Sequence, residues 1–432
     1  MEQLFLGVAR EIITPKIGCR LYGYEPDVFS DAVEDDLTAT AFWFQQGKVK
    51  ALMISTTICL FRTSLAERVL NLLEESLGIP KACCMLCATH THSGPNTNGQ
   101  SGWGDIDTEY CETILIPKLL AAARSASESL NPVHVGIASG NSYVGINRRE
   151  LDENNVVQLG QCEWGCFNPR MTVISFRDLT GKAVANMIHY GAHGTAAGMN
   201  TQITRDWSGV MTDTLEAYTG AITAFFNGPE GDVGPRLTNG WTVGGGNIRY
   251  VYELGHIAAR DAVNIYKKIC SYQNVALDAG SRYIAVPLKP RITREEAQFM
   301  YERYKNDTVN LEGWKRTYSL MVMDSYDDGY REEEKHDLQQ TLVKIGDQVF
   351  VSFPYELFSE IGMRIDRMCP DAAILSLSNT NGSEGYFVTE DQLVRGGYEV
   401  HMFMYSHVQP YCDNADWHLI QETTKNIYSI LK

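Results

Sequence analysis

The sequence lacks the features that would place it in a membrane, on nucleic acid or in a disulfide framework. No stretch reaches the roughly 18 apolar residues of a membrane helix. The opening Met1-Glu2-Gln3-Leu4-Phe5-Leu6-Gly7 has no basic n-region and no apolar run of signal-peptide length. Basic charge is scarce: 37 Lys and Arg against 53 Asp and Glu leave a net charge of −16, which argues against nucleic acid and anionic lipid as partners. The 11 cysteines are odd in number and have no framework spacing, so they read as reduced thiols of a cytoplasmic protein. Cys83, Cys84 and Cys87 crowd together, but their company of Met85, Leu86 and Ala88 reads as a buried strand before it reads as a zinc site. Cys162 and Cys166 form a similarly weak pair. Internal repeats, low-complexity tracts and Pro/Ser linkers are missing too. No boundary asks to be drawn, and residues 1–432 read as one domain, against a length prior of roughly 150 residues per domain.

What is present is a chain that is 44% hydrophobic, ample for a large core. Gly7 to Pro15 reads as a strand, followed by a hairpin of Thr38–Phe44 and Val49–Ser55 joined at Gln46-Gly47-Lys48. Ser64–Leu77 repeats apolar residues at helical spacing, with Gly78 and Pro80 as stop signals. Strands are expected at Cys83–Ala88, Val133–Ala138, Met171–Phe176, Ala183–Tyr190, Ile222–Phe226 and Ala372–Leu377. Helices are expected at Tyr110–Leu130, Ser208–Tyr218, Arg249–Ile269, Ile292–Tyr304, Leu357–Met368 and Asp416–Leu431. A second hairpin, Gln339–Ile345 and Gln348–Phe353, turns at Gly346-Asp347. The glycine-rich Gly240–Asn247 reads as a loop, and the acidic run Asp324–Asp337 as a solvated loop or helix face. Strands interleaved with helices throughout predict a mixed α/β fold, a β-sheet core with flanking helices.

The sharpest chemical signal is His90-Thr91-His92. Residues i and i+2 at a strand end point to one side, so both imidazoles can address one site; two exposed histidines near a turn are the alternative. His189 and His193 flank a strand emptying into a loop. One of them suits a zinc ligand and the other a core or supporting position, or both are ordinary histidines. Glu356 follows a strand and precedes a helix, placed either for ligation or as an acidic residue favoured in a first helical turn. Arg148 and Arg149 offer a donor fork for a carbonyl or carboxylate, or a plain surface pair. Gly231-Asp232-Val233-Gly234-Pro235 is a tight turn in which Asp232 can support a site.

Together, Thr89-His90-Thr91-His92-Ser93-Gly94-Pro95, Gly145-Ile146-Asn147-Arg148, Ala192-His193-Gly194-Thr195 and Gly231-Asp232-Val233 resemble the neutral/alkaline ceramidases in motif and in order. The start, Gly7 to Pro15 with Gly23-Tyr24, is similar to that family's catalytic domain. Pro354-Tyr355-Glu356 resembles its Pro-Gly-Glu, and Tyr386 and Tyr398 keep its tyrosine spacing. The resemblance implies a zinc held by His90, His193, Glu356 and Tyr386, with His92, Arg148 and Tyr398 around the scissile amide. It implies a zinc-bound hydroxide attacking the acyl carbon, Arg148 and Tyr398 stabilising the oxyanion, and His92 shuttling the proton to the leaving nitrogen.

Departures from the family also carry information. Gly234 stands where the family has a serine, which excludes a serine nucleophile at that motif. Tyr355 replaces a glycine, and Tyr398-Glu399 runs into Val400-His401-Met402 in place of small residues. These changes bear on the ceramide substrate more than on the metal. The usual C-terminal β-sandwich is expected to be absent. Three readings follow: a zinc amidohydrolase of an N-acyl, ceramide-like small molecule or lipid; a zinc hydrolase of another small amide, lactam or ester; and a non-catalytic descendant that binds a ligand.

Overall fold

The strand Thr38–Gln46 explains the architecture. Its side chains alternate between two buried environments, with Ala39, Ala41 and Trp43 on one side and Phe42 and Phe44 on the other. A strand covered on both faces has no polar alternation to show, which is why this stretch reads as one apolar run. The next strands split the same way: Leu52 and Ile54 against Ala51 and Met53, then Leu86 and Ala88 against Met85 and Cys87. In this computed structural model, residues 2–100, 103–237, 247–306 and 311–431 are described.

Eight strands form the large sheet, in the order Ile222–Asn227, Ala183–Tyr190, Arg170–Asp178, Asn131–Asn141, Phe5–Ile12, Thr38–Gln46, Val49–Thr56 and Cys84–Ala88. Four more, Leu277–Pro287, Lys335–Ile345, Gln348–Ser352 and Ala373–Leu377, form a second sheet. The two pack face to face: Phe42, Phe44 and Met53 share one core with Val343, Phe350 and Leu375. Helices cover the outer faces. Thr63–Leu77 and Ile116–Glu128 lie on the large sheet, as do Trp207–Thr219 and Ile248–Tyr266 further along, while Ser359–Met368 and Ala415–Leu431 cover the small one. The result is a mixed α/β fold of four layers, helix, sheet, sheet, helix. Each fully buried Leu, Ile or Phe in these layers contributes roughly 1.5–3 kcal/mol.

Both expected hairpins form, with Gly47 (φ 57°) and Gly346 (φ 63°) in the left-handed region that their tight turns require. The expected stop at Gly78 is a left-handed helix cap. The crowded cysteines are core: Cys84 and Cys87 are buried thiols, Cys87 pushed up to about 12 by burial. The helix expected from Tyr110 starts at Thr108 and passes through a widened π turn, Cys111–Leu115, before Ile116–Glu128. Pro117, which has no N–H to donate, stands at that junction. The acidic run splits three ways: its first residues close the helix Leu311–Asp327, residues 328–334 form an exposed loop, and Lys335, His336 and Asp337 open the strand Lys335–Ile345. The glycine-rich loop lies outside the described residues apart from Asn247, which caps the next helix. Among the described residues no helix is long and apolar enough to cross a membrane.

Candidate metal centre

Three pairs of parallel strands end at one place. Val49–Thr56 runs beside Cys84–Ala88, Ala183–Tyr190 beside Ile222–Asn227, and Gln348–Ser352 beside Ala373–Leu377. Just past their carboxyl ends come Cys59 and His90, His193 and Glu230, and Glu356 and Asn379. Parallel strands leave their loops together on one edge, the usual location of α/β sites.

The loops grip one another through backbone bonds. The amide of His90 donates to the Ile58 carbonyl, that of Gly194 to the His90 carbonyl, and that of His92 to the Gly194 carbonyl. His90 sits at φ 67°, a left-handed conformation that costs a non-glycine residue roughly 1–2 kcal/mol. This turn, rather than strand alternation, brings the two rings together, since the strand has already ended at Ala88. The Nε2 atoms of His90 and His92 lie 3.3 Å apart.

Glu356 and Tyr386 face each other across a two-residue parallel bridge, in register as Cα partners. Glu356 therefore belongs to an extended segment; the helix expected from Leu357 starts only at Ser359. The Gly231 amide donates to the Leu357 carbonyl, and a Cβ at Gly231 would meet the Glu356 carbonyl oxygen at 2.4 Å. Only glycine allows that approach. Asp232 supports this corner, accepting from the Ser359 amide and hydroxyl and from Asn147 Nδ2.

Arg148 and Arg149 are buried, which overturns the surface-pair alternative. Glu399 bridges them, its Oε1 accepting from Arg148 Nε at 2.8 Å and its Oε2 from Arg149 Nη1 at 2.5 Å. Arg148 also donates to His193 Nε2 at 2.9 Å and to the Tyr386 hydroxyl at 2.8 Å. The Tyr398 ring lies 5.6 Å from that of Tyr386, and Tyr398 lines a small cavity with His90, His92 and Glu356.

The donor atoms fit zinc. His90 Nδ1–H is committed to the Cys59 carbonyl at 3.0 Å, and His193 Nδ1–H to the carbonyls of Glu230 and Val233. That fixes the tautomers and turns both Nε2 lone pairs inward. They meet Glu356 Oε2 at 3.3 and 3.1 Å, and the ligating atoms of the three residues lie within 4.8 Å of one another. Acceptors packed this closely need positive charge among them. Burial works against a charge on His90, yet its contacts with Cys59 and Glu356 outweigh burial and push its pKa well up. Burial would raise Glu356, but His90 and His193 hold it well below the usual carboxylate range. Two imidazoles, a carboxylate and the nearby Tyr386 hydroxyl make an ordinary zinc donor set. Cys59, His90 and His92 form a second convergent group. It is the poorer one, because His90 Nδ1 already serves a carbonyl and burial raises the Cys59 thiol.

Three residues around the cluster have no counterpart among the sequence candidates. Glu230 is fully buried, its Oε1 accepts from Asn379 Nδ2 at 2.6 Å, and burial lifts its pKa to about 8. Asn379, at φ 45°, also lies 3.3 Å from His90 Nδ1, and the Cys59 sulfur lies 3.6 Å from the same atom. A carboxylic acid in a turn already marked by Gly231-Asp232 was the available signal.

His189 is not in the cluster. Its Nε2 donates to the Ser376 carbonyl at 2.9 Å, its Nδ1 has no partner, and burial holds its pKa down to about 4 against 6.5. The unfolded chain takes up this proton near pH 6.5 and the folded chain only near pH 4. Stability from this residue is therefore full above pH 6.5 and is lost as pH falls towards 4, by about 3 kcal/mol. Urea midpoints of zinc-free protein should show that loss, and His189→Gln should flatten it. Equal pH slopes in the two proteins would contradict a neutral ring.

At the sequence level no protein-family model matches the chain, and no curated protein matches it. Solved structures do. The neutral ceramidase from Pseudomonas aeruginosa superposes with a TM-score of 0.75 at 18% identity, covering 98% of this chain and 74% of that one. A ceramidase complexed with C2 gives a TM-score of 0.75 at 17% identity over the same shares. At that identity the likeness concerns architecture, and the architecture of this chain is the neutral-ceramidase fold.

Proposed function

We propose that this protein hydrolyses an amide bond of an N-acyl substrate at a zinc site made by His90, His193, Glu356 and Tyr386. The observation that carries the reading is the convergence of His90 Nε2, His193 Nε2 and Glu356 Oε2, with both Nδ1 atoms tied to backbone carbonyls. Bound there, zinc would bring the pKa of a water down towards about 7 and polarise the amide carbonyl. Arg148 is the fixed cation beside that point, and Tyr398 stays a hydroxyl donor because burial raises its pKa. Each supplies a hydrogen bond to the oxyanion, worth roughly 3 kcal/mol by the scale of oxyanion-hole deletions. His92 Nε2 accepts the proton of the attacking water and passes it to the leaving nitrogen. Burial and its histidine neighbours push the His92 pKa well down, which keeps the ring neutral and able to accept. The C–N bond breaks to give a carboxylic acid and an amine.

The fold of the ceramidases supports a ceramide-like lipid as substrate, and the net charge of −16 speaks against nucleic acid. A second reading, another small amide, lactam or ester, is favoured by the size of the cavity over the cluster, about 30 Å³. All 11 cysteines are free thiols, which supports a reducing compartment such as the cytoplasm. The test is release of the amine from N-acyl amides by zinc-loaded protein. Chelation should abolish turnover, and zinc but not magnesium should restore it. Turnover that survives complete removal of zinc would refute the proposal.

A further inference from the structure

The two imidazoles proposed as zinc ligands keep different company at their outer nitrogens. His193 Nδ1 faces two carbonyls, those of Glu230 at 2.8 Å and Val233 at 3.1 Å, so a proton on it is well served. His90 Nδ1 lies between an acceptor and a donor: the Cys59 carbonyl at 3.0 Å and Asn379 Nδ2 at 3.3 Å, with Cys59 Sγ at 3.6 Å. A neutral ring in that place can take either tautomer. Only the one with its proton on Nδ1 leaves the Nε2 lone pair for a metal.

The side chain that biases this choice is Glu230. Its Oε1 accepts from Asn379 Nδ2 at 2.6 Å, a shorter contact than the amide makes with His90. Both residues are fully buried, so water does not compete for the bond. With the amide anchored on Glu230, the nearer Cys59 carbonyl takes the Nδ1 proton. Without that anchor the amide N–H would be a buried donor in want of an acceptor, and the Nδ1 lone pair is within its reach. Donation there would put the ring proton on Nε2, the atom that faces Glu356 and the zinc position.

The backbone keeps these groups in place. The Asn379 amide donates to the Tyr355 carbonyl, and the Asn379 carbonyl accepts from the Ala88 amide. Asn379 therefore joins the segment before Glu356 to the strand that ends before His90, and it does so at φ 45°, a left-handed conformation that asparagine tolerates. Glu230 is fixed in turn, its carbonyl accepting from the Val233 amide as well as from His193 Nδ1. One residue thus reaches both imidazoles, His193 through its carbonyl and His90 through Asn379.

We infer that Glu230, acting through Asn379, is a positioning residue for His90, holding the ring proton on Nδ1 and the Nε2 lone pair towards the metal. The inference rests on the zinc reading above.

The test is zinc affinity, by competition with a chromophoric chelator, and the visible absorption of the cobalt(II)-loaded protein. Glu230→Leu removes the acceptor, and Asn379→Gly removes the amide without straining a left-handed residue. Each should weaken zinc binding about 10–100-fold, the usual cost of losing a group that orients a ligand. Each should also change the cobalt absorption, because a His90 ring free to turn alters the ligand field. Glu230→Gln keeps an acceptor oxygen and should restore most of the affinity and the native spectrum, which a merely structural role would not require. If Glu230→Leu does not fold, Asn379→Gly and Glu230→Gln carry the comparison. Folded Glu230→Leu or Asn379→Gly protein with native affinity and native cobalt absorption would overturn the inference and leave the zinc reading intact. Glu230→Gln losing as much as Glu230→Leu would overturn it too, since the acceptor would not be what matters. A native protein that binds neither metal would remove the zinc reading and this inference together.

Discussion

Purified native protein is expected to carry about one zinc per chain, and the His90→Ala and Glu356→Ala variants essentially none, by elemental analysis. The two residues approach from different sheets, so losing either breaks the three-donor convergence. His90 is held by the Cys59 carbonyl in the rare left-handed conformation, and Glu356 by its bridge to Tyr386. Loss of even a supporting residue at a zinc site typically costs 10–100-fold in affinity, so loss of a ligand should exceed about 100-fold. Zinc needs His90 as a neutral ligand, although Glu356 favours its protonation, and it must draw His193 Nε2 away from Arg148 Nη1. Zinc affinity should therefore fall on acidification. His189→Gln is the control and should keep its zinc, since that ring is occupied with the Ser376 carbonyl. A native protein that stays empty after zinc is supplied would remove the hydrolytic mechanism and bring the ligand-binding reading forward.

Much of this site was legible in the sequence because its residues lie within motifs at strand ends. His90, His92, Arg148, His193, Glu356, Tyr386 and Tyr398 all come to one small region, and the segments that deliver them have recognisable apolar strands before them. The reasons were less legible. Alternation along a strand suggested that His90 and His92 share a side, but a left-handed residue at His90 does this, a conformation that only a closed backbone network enforces. Glu356 read as the start of a helix because its pairing partner, Tyr386, lies 30 positions away and pairs over two residues only. Glu230 carries only a weak local signal, its place beside Gly231-Asp232: what makes it unusual is burial, which the chain acquires only when three loops close over it. The long edge strand Leu277–Pro287 was missed for the opposite reason. It is half exposed, so its apolar pattern is weak, and its pairing with Lys335–Ile345 is stated by register rather than by composition.

Replacing Glu399 should be among the most damaging single changes in the molecule. The carboxylate is fully buried and neutralises two buried guanidinium groups, those of Arg148 and Arg149. Arg149 keeps other partners, Gln392 Oε1 and the Gly396 carbonyl, with the Phe358 ring beneath it. Arg148 keeps only a lone pair on His193 and the Tyr386 hydroxyl, both of which the metal site would claim. Removing one member of a buried ion pair typically costs 3–5 kcal/mol, because the remaining charge cannot be resolvated. Glu399→Ala should lose about that much stability in urea unfolding. Glu399→Gln keeps the volume and one acceptor oxygen and should lose less. An exposed pair, Arg68 with Glu112, offers the contrast: its geometry is good, but solvent screens it, and Glu112→Gln should leave the unfolding midpoint unchanged within error. The two glutamates thus separate burial from pairing. If Glu399→Ala unfolded no more easily than Glu112→Gln, Arg148 would not depend on Glu399 for its place. If Glu399→Gln stays folded but loses zinc or turnover, the carboxylate acts by positioning Arg148 against the metal ligands, which a merely structural role would not produce.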